Sequence, residues 1–128
     1  MIYVDSSIVL ADLFDERRTV PDSFWREELV SSRLLEYEAW NRIHARELAQ
    51  AKGERAKVLI NHINFIEMTP EVLSRALRPF SIVLRTLDSL HVATLAHLYA
   101  RDQSTALASY DKRMVAAAKS LDIPLYQF

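Results

Sequence analysis

The apolar positions of the chain change period repeatedly along its length. MIYV, at the start, is a short continuous apolar run of the kind buried in a parallel sheet, and Ile8, Val9, Leu10, Leu13 and Phe14 follow at helical spacing. A strand therefore hands over to a helix around VDSS. The charged stretch DERRTVPD, with Pro21, predicts a loop, a short helix is expected over residues 23–28, and LVSS predicts a second strand. From residue 34 to about residue 52 strong helix formers predominate, with Leu34, Leu35, Ala39, Ile43 and Leu48 among the apolar positions, and Gly53, the only glycine, predicts the end of that helix. A second helix is expected over 54–62, a strand at NFIEMT, a helix start at Pro70 and a hinge at Arg78 and Pro79. The stretch 84–100 is apolar on most sides, which predicts a central, largely buried helix. TALAS then reads as a strand, 111–120 as a helix and IPLYQF as a last short strand. This alternation implies an α/β fold with a parallel sheet covered on both faces.

Length adds to this a single cooperative core: 128 residues, half of them apolar, predict one domain, and no internal repeat, low-complexity tract or linker divides them. With 16 basic against 17 acidic side chains the net charge is −1, so bulk electrostatics favour no nucleic-acid partner and any such binding must come from a local patch. The absence of cysteine excludes disulfides, thiolate metal sites and a cysteine nucleophile together. No basic segment precedes a long apolar stretch at the N-terminus, and no apolar run reaches the length of a membrane span, so a soluble, cytoplasmic protein is expected.

Four acids stand out against the strand and helix pattern. Asp5 follows the first strand and Asp111 follows TALASY, both at carboxyl ends of predicted strands, the edge where open α/β sheets bind ligands. Glu38 falls about one turn into the long helix after LVSS, and Asp88 falls in the first turn of the buried helix, among Leu87, Leu90 and Val92, where a carboxylate loses solvation unless something pairs it. Taken singly, each has an ordinary reading. Asp5 and Asp111 suit helix caps, Asp88 suits the positive end of a helix dipole, and Glu38 suits an exposed pair with Arg42 at i,i+4.

Taken together, VDSSIVL, SSRLLEYEAWNR, LRTLDSLHVATL and ASYDKRM, in this order and along the whole chain, resemble the PIN-domain family, and within it the VapC-type toxin branch. The resemblance implies a three-layer α/β/α domain with a short, mainly parallel sheet, and a cleft in which Asp5, Glu38, Asp88 and Asp111 hold Mg2+ or Mn2+. It implies a metal-dependent endoribonuclease, usually homodimeric, that a cognate antitoxin neutralises. Ser7 matches the family's hydroxyl two residues after the first acid, where threonine is more usual, and Ser109 its small polar residue two before the last. Glu36 does not match and stays outside the expected site. The implied chemistry is coherent, because crowded carboxylates repel and take up protons unless a cation offsets them, and oxygen donors without cysteine favour a hard ion. Hydrolysis by an activated water then predicts 5′-phosphate and 3′-hydroxyl ends.

An acidic cleft needs a basic rim to hold RNA. Arg42, Arg85, Lys112 and Arg113 are candidates for its backbone, with Arg17, Arg18 and Arg46 nearby in sequence or on the same helix. Single-stranded or looped RNA is the expected substrate. His91 shares a helical face with Asp88 and is expected as a packed, hydrogen-bonded histidine rather than a ligand, while His44, His62 and His97 have no ligand spacing. Trp25, Trp40, Phe14 and Phe24 could form an apolar groove for an antitoxin helix or a dimer face, but large aromatics in a small domain are expected in the core, with one or two partly exposed. Other chemistries fit less well. An aspartyl-phosphate enzyme would place a second Asp where Ser7 stands, a receiver domain would lack Glu38, and dinucleotide binding needs glycines at the first turn. The alternative that keeps the fold is a catalytically silent PIN-like binding module, in which one of the four acids would be expected to be lost; none is missing.

Overall fold

In the computed structural model, residues 1–14 and 18–128 are described. Strands β1 (Ile2–Val4), β2 (Leu29–Ser32), β3 (Ile63–Ile66) and β4 (Ala106–Ala108) form a parallel sheet in the order β3-β2-β1-β4. Parallel neighbours need crossovers, and helices supply them: α1 (Ser6–Phe14) leads from β1 to β2, α2 (Leu34–Ala45) and α3 (Ala49–Asn61) from β2 to β3, and α4 (Pro70–Ala76) and α5 (Thr86–Arg101) from β3 to β4. Helix α6 (Lys112–Ser120) follows β4. The three-layer α/β/α architecture expected from the sequence is the one observed.

The two faces of the sheet are sorted by strand alternation. Ile2 and Val4 point into a core with Ile8, Leu13, Leu35, Ile43 and Leu59 from α1, α2 and α3, whereas Tyr3, between them, points into a second core with Val92, Leu95 and Leu98 of α5 and Met114 of α6. Each fully buried aliphatic side chain of this kind contributes about 1.5–3 kcal/mol. The expected burial of α5 holds for its middle, where residues 91–95 are buried all round the helix, but its first turn opens to solvent at Leu87. Phe24 and Trp25 are buried, Phe14 and Trp40 half-buried, in line with the expected core role of these aromatics.

The helix ending is a correction. The helix predicted to run to Gly53 stops at Ala45, and Gly53 lies inside α3. The stop uses no glycine: the amide of Glu47 bonds to the carbonyl of His44 and that of Leu48 to Ile43, with Glu47 itself left-handed at φ 55°. That conformation costs a non-glycine residue on the order of 1 kcal/mol. Gly53 serves packing instead, since a Cβ there would stand 3.4 Å from the Trp40 ring. The last predicted strand is a single bridge, Leu107 to Leu125, added at the β4 edge. The helix expected over 23–28 is one 3₁₀ turn, Phe24–Arg26. Among the described residues no helix is long and apolar enough to cross a membrane.

Candidate active site

In the order β3-β2-β1-β4 the chain first builds outward from β1 on one side and later returns to add β4 on the other. The carboxyl end of β1 is therefore the place where crossovers diverge and leave a crevice. Asp5 stands there, and its amide bonds to the carbonyl of Ala108 at 3.0 Å, which ties it to the end of β4. A cleft of about 890 Å³ opens over this point, lined by Asp5 and Ser7 from the β1 end, Glu38, Asn41 and Arg42 from α2, Arg85 and Asp88 from the start of α5, and Asp111, Lys112 and Arg113 from the start of α6. All four candidate acids and all four candidate backbone cations thus share one cavity, drawn from segments more than 100 residues apart.

Among the described residues the Asp5 side chain bonds to hydroxyls and not to an α1 amide. Its Oδ2 accepts from the Ser7 hydroxyl at 2.6 Å and from the Ser109 hydroxyl at 2.8 Å. The same serines accept backbone amides in turn, Ser7 from Tyr110 and Ser109 from Asp111, each at 2.9 Å. The two hydroxyls therefore fasten the β1 end to the loop after β4 and aim the Asp5 carboxylate. Asp111 caps α6, its Oδ1 accepting from the Arg113 amide at 2.8 Å, and it also lines the cleft. Glu38 does not pair with Arg42 among the described residues; its Oε1 accepts from His91 Nε2. The other ring nitrogen of His91, Nδ1, meets the Tyr3 hydroxyl at 2.8 Å, and that hydroxyl also accepts the Ser32 amide at 3.2 Å. His91 is buried, hydrogen-bonded and packed edge-on against Tyr3, as expected of it. Glu36 lies elsewhere, paired with Arg33.

The electrostatics are those of negative charge only partly compensated. Burial pushes the Asp5 carboxyl above its ordinary range, and the Ser7 and Ser109 hydroxyls and nearby His91 only partly offset it. Asp88 is raised by burial first, then by the charges of Asp111 and Glu38. Burial works to lower His91, but the hydrogen bond to Glu38 and the charges of Glu38, Asp5 and Asp88 outweigh it and leave its pKa raised. Among the described residues, no lysine or arginine forms an ion pair with any of the four acids. The carboxylates line the cleft without closing into a cage, and among the described residues no three acid or imidazole groups are gathered tightly enough to ligate one ion as they stand. An open set of hard oxygen donors with unmet charge fits Mg2+ or Mn2+, since magnesium retains several waters and takes only one or two carboxylates directly.

Asp88 supplies a prediction about stability. An acid whose folded pKa is raised weakens the fold as pH rises through that pKa, and has no effect below its unfolded value, where both states are protonated. Asp88→Asn is therefore expected to raise the melting temperature by a few degrees at pH 7 in EDTA and to change nothing at pH 3. Unchanged or lower melting at pH 7 would show that Asp88 is compensated.

Sequence reasoning missed Asn41, although it lies three residues after Glu38 on the same helical face, and missed Thr86 beside Arg85. Tyr3 carried no signal within an apolar strand. Arg46 and Arg18 line adjoining grooves rather than the cleft, and Arg17 lies outside the described residues.

Comparison with known proteins finds relatives of the whole chain. The chain is 27% identical over 128 residues to Ribonuclease VapC47 of Mycobacterium tuberculosis (strain CDC 1551 / Oshkosh), an alignment covering 94% of this chain and 92% of that protein. The PIN domain model matches residues 2–120, a span that holds all four carboxylates, both serines and every element of the sheet, and the chain belongs to the PIN-domain family.

Proposed function

We propose that the protein is a metal-dependent endoribonuclease of the VapC kind, a toxin held inactive by a cognate antitoxin. The observation that carries this reading is the convergence of Asp5, Glu38, Asp88 and Asp111 from four separate segments on one cleft edged by Arg42, Arg85, Lys112 and Arg113. Acids alone would repel a phosphodiester, and cations alone would bind it without hydrolysing it. Asp5, Asp88 and Asp111, with Glu38, would hold Mg2+ or Mn2+, which supplies positive charge and Lewis acidity at the scissile phosphate. The chain's own residues do the rest. Ser7 and Ser109 fix the Asp5 carboxylate, His91 fixes Glu38, and the rim cations draw the RNA backbone over the acids. Resemblance to VapC-type proteins supports a cytoplasmic, homodimeric state and single-stranded or looped RNA as substrate.

The test is incubation of the purified protein with a panel of single-stranded RNAs in Mg2+, Mn2+ or EDTA. Cutting is expected only with metal, leaving 5′-phosphate and 3′-hydroxyl ends. Products ending in a 2′,3′-cyclic phosphate would mean that the ribose hydroxyl, not water, attacks, and would overturn the mechanism.

A further inference from the structure

Arg18 and Arg46 border two grooves that continue from the acidic cleft. The first shares Ser7, Leu10 and Arg42 with the cleft and adds Phe14, Arg18 and Arg46; the second shares Phe14, Arg18 and Arg46 with the first and ends at Lys52. One path therefore runs from the carboxylates, along α1 and α2, to the beginning of α3. Among the described residues its charge is one-sided. Arg42, Arg18, Arg46 and Lys52 follow one another along it, whereas the acid that borders it among the described residues, Asp12, is already held by Arg55 and by the Trp25 indole N–H. Among the described residues Arg42, Arg46 and Lys52 form no ion pair. The Arg46 guanidinium lies over the half-buried Phe14 ring, 4.7 Å from its centroid, so charge and aromatic surface are presented at one point of the wall.

We propose that this groove binds the single-stranded RNA on one side of the scissile phosphodiester, with phosphates tracking Arg42, Arg18, Arg46 and Lys52 and a base resting at Phe14. The inference rests on the nuclease reading of the cleft and extends it by giving the substrate a direction. A cationic track interleaved with an aromatic ring is the composition that binds single strands without reading their sequence. Continuity with the cleft favours RNA over an acidic polypeptide, because a strand with its phosphodiester at the carboxylates passes Ser7, Leu10 and Arg42 on its way into the groove.

The experiment is fluorescence anisotropy of a labelled dodecauridylate in EDTA over a range of salt, so that binding is read without cleavage. Replacing Arg46→Gln and Lys52→Gln together is expected to weaken binding about tenfold at low salt and to reduce the slope of log affinity against log salt by about 1.4, the share of two single-strand phosphate contacts. Arg101→Gln with Lys119→Gln, at the far ends of α5 and α6, changes the net charge equally and is expected to leave that slope unaltered. Restoring a cation with Arg46→Lys beside Lys52→Gln should return about half of the lost slope, while matched melting temperatures show that both double variants fold. Equal slopes for the two pairs, or no binding of the dodecauridylate by the unaltered protein, overturn the proposal. Unchanged RNA binding with loss of binding to poly-glutamate also overturns it and assigns the groove to an acidic polypeptide. Metal-dependent cutting by the unaltered protein is scored separately, so a failed nuclease reading and a failed groove are distinguishable.

Discussion

Asp5→Asn is expected to lower RNA cleavage about a thousandfold or more, equivalent to about 4 kcal/mol of lost transition-state stabilisation, without lowering the melting temperature. The two halves of that expectation have separate causes. Asn keeps the shape of Asp and a carbonyl oxygen able to accept from Ser7 and Ser109, so the bonds that join the β1 end to the loop after β4 survive. It removes a charge that burial already disfavours, which relieves the folded state rather than weakening it. What it cannot supply is the anionic oxygen needed to hold a divalent cation over the scissile phosphate. Single-turnover cleavage with Mg2+, set beside thermal unfolding in EDTA, reads both parts. Cutting at the unaltered rate would remove Asp5 from the site, and a large fall in melting temperature would make its role structural.

Much of this site was legible because strand ends and acids fall together in the sequence. MIYV followed by Asp5, and TALASY followed by Asp111, put carboxylates at the carboxyl ends of strands, and the sheet order then makes those strands neighbours. For Asp111 the cap is observed and does not take it out of the cleft: one oxygen caps α6 while the residue still lines the cavity. Other features depend on contacts that no local pattern records. Gly53 looks like a helix stop, but Trp40, thirteen residues earlier, occupies the space beside it and the stop falls to Glu47, a residue without any terminator signal. IPLYQF has the composition of a strand, yet among the described residues it makes a single bridge, Leu125 to Leu107, through the backbones of Pro124 and Tyr126, at an edge already formed. Taken singly, Glu38 suited a surface pair with Arg42 because helical spacing makes them neighbours; its hydrogen-bond partner, His91, comes from the opposite layer. Periodicity shows which face a residue occupies but not what meets that face from across the sheet.

His91→Ala is expected to damage both the fold and the site, and the two effects can be separated. The chain of contacts runs from the Ser32 amide to the Tyr3 hydroxyl, from Tyr3 to His91 Nδ1, and from His91 Nε2 to Glu38, so a side chain rooted in the sheet sets the position of a cleft carboxylate. Truncation leaves a cavity beside Tyr3 and removes the partner of two polar groups, for an expected loss of about 3 kcal/mol in stability. Residues that orient a metal-binding group typically alter metal affinity or activity about 10–100-fold when replaced. The same range is expected here for Mn2+ affinity, measured by calorimetry on the folded variant, and for the cleavage rate. His91→Gln distinguishes positioning from packing, because its terminal amide can still donate toward Glu38 although it fills the ring's space poorly. If His91 positions Glu38, His91→Gln recovers Mn2+ affinity and rate while remaining less stable than the unaltered protein. If His91→Ala, once folded, binds Mn2+ and cuts RNA as the unaltered protein does, the contact with Glu38 is core packing alone, and the carboxylate is held in the cleft by α2 without help from the sheet.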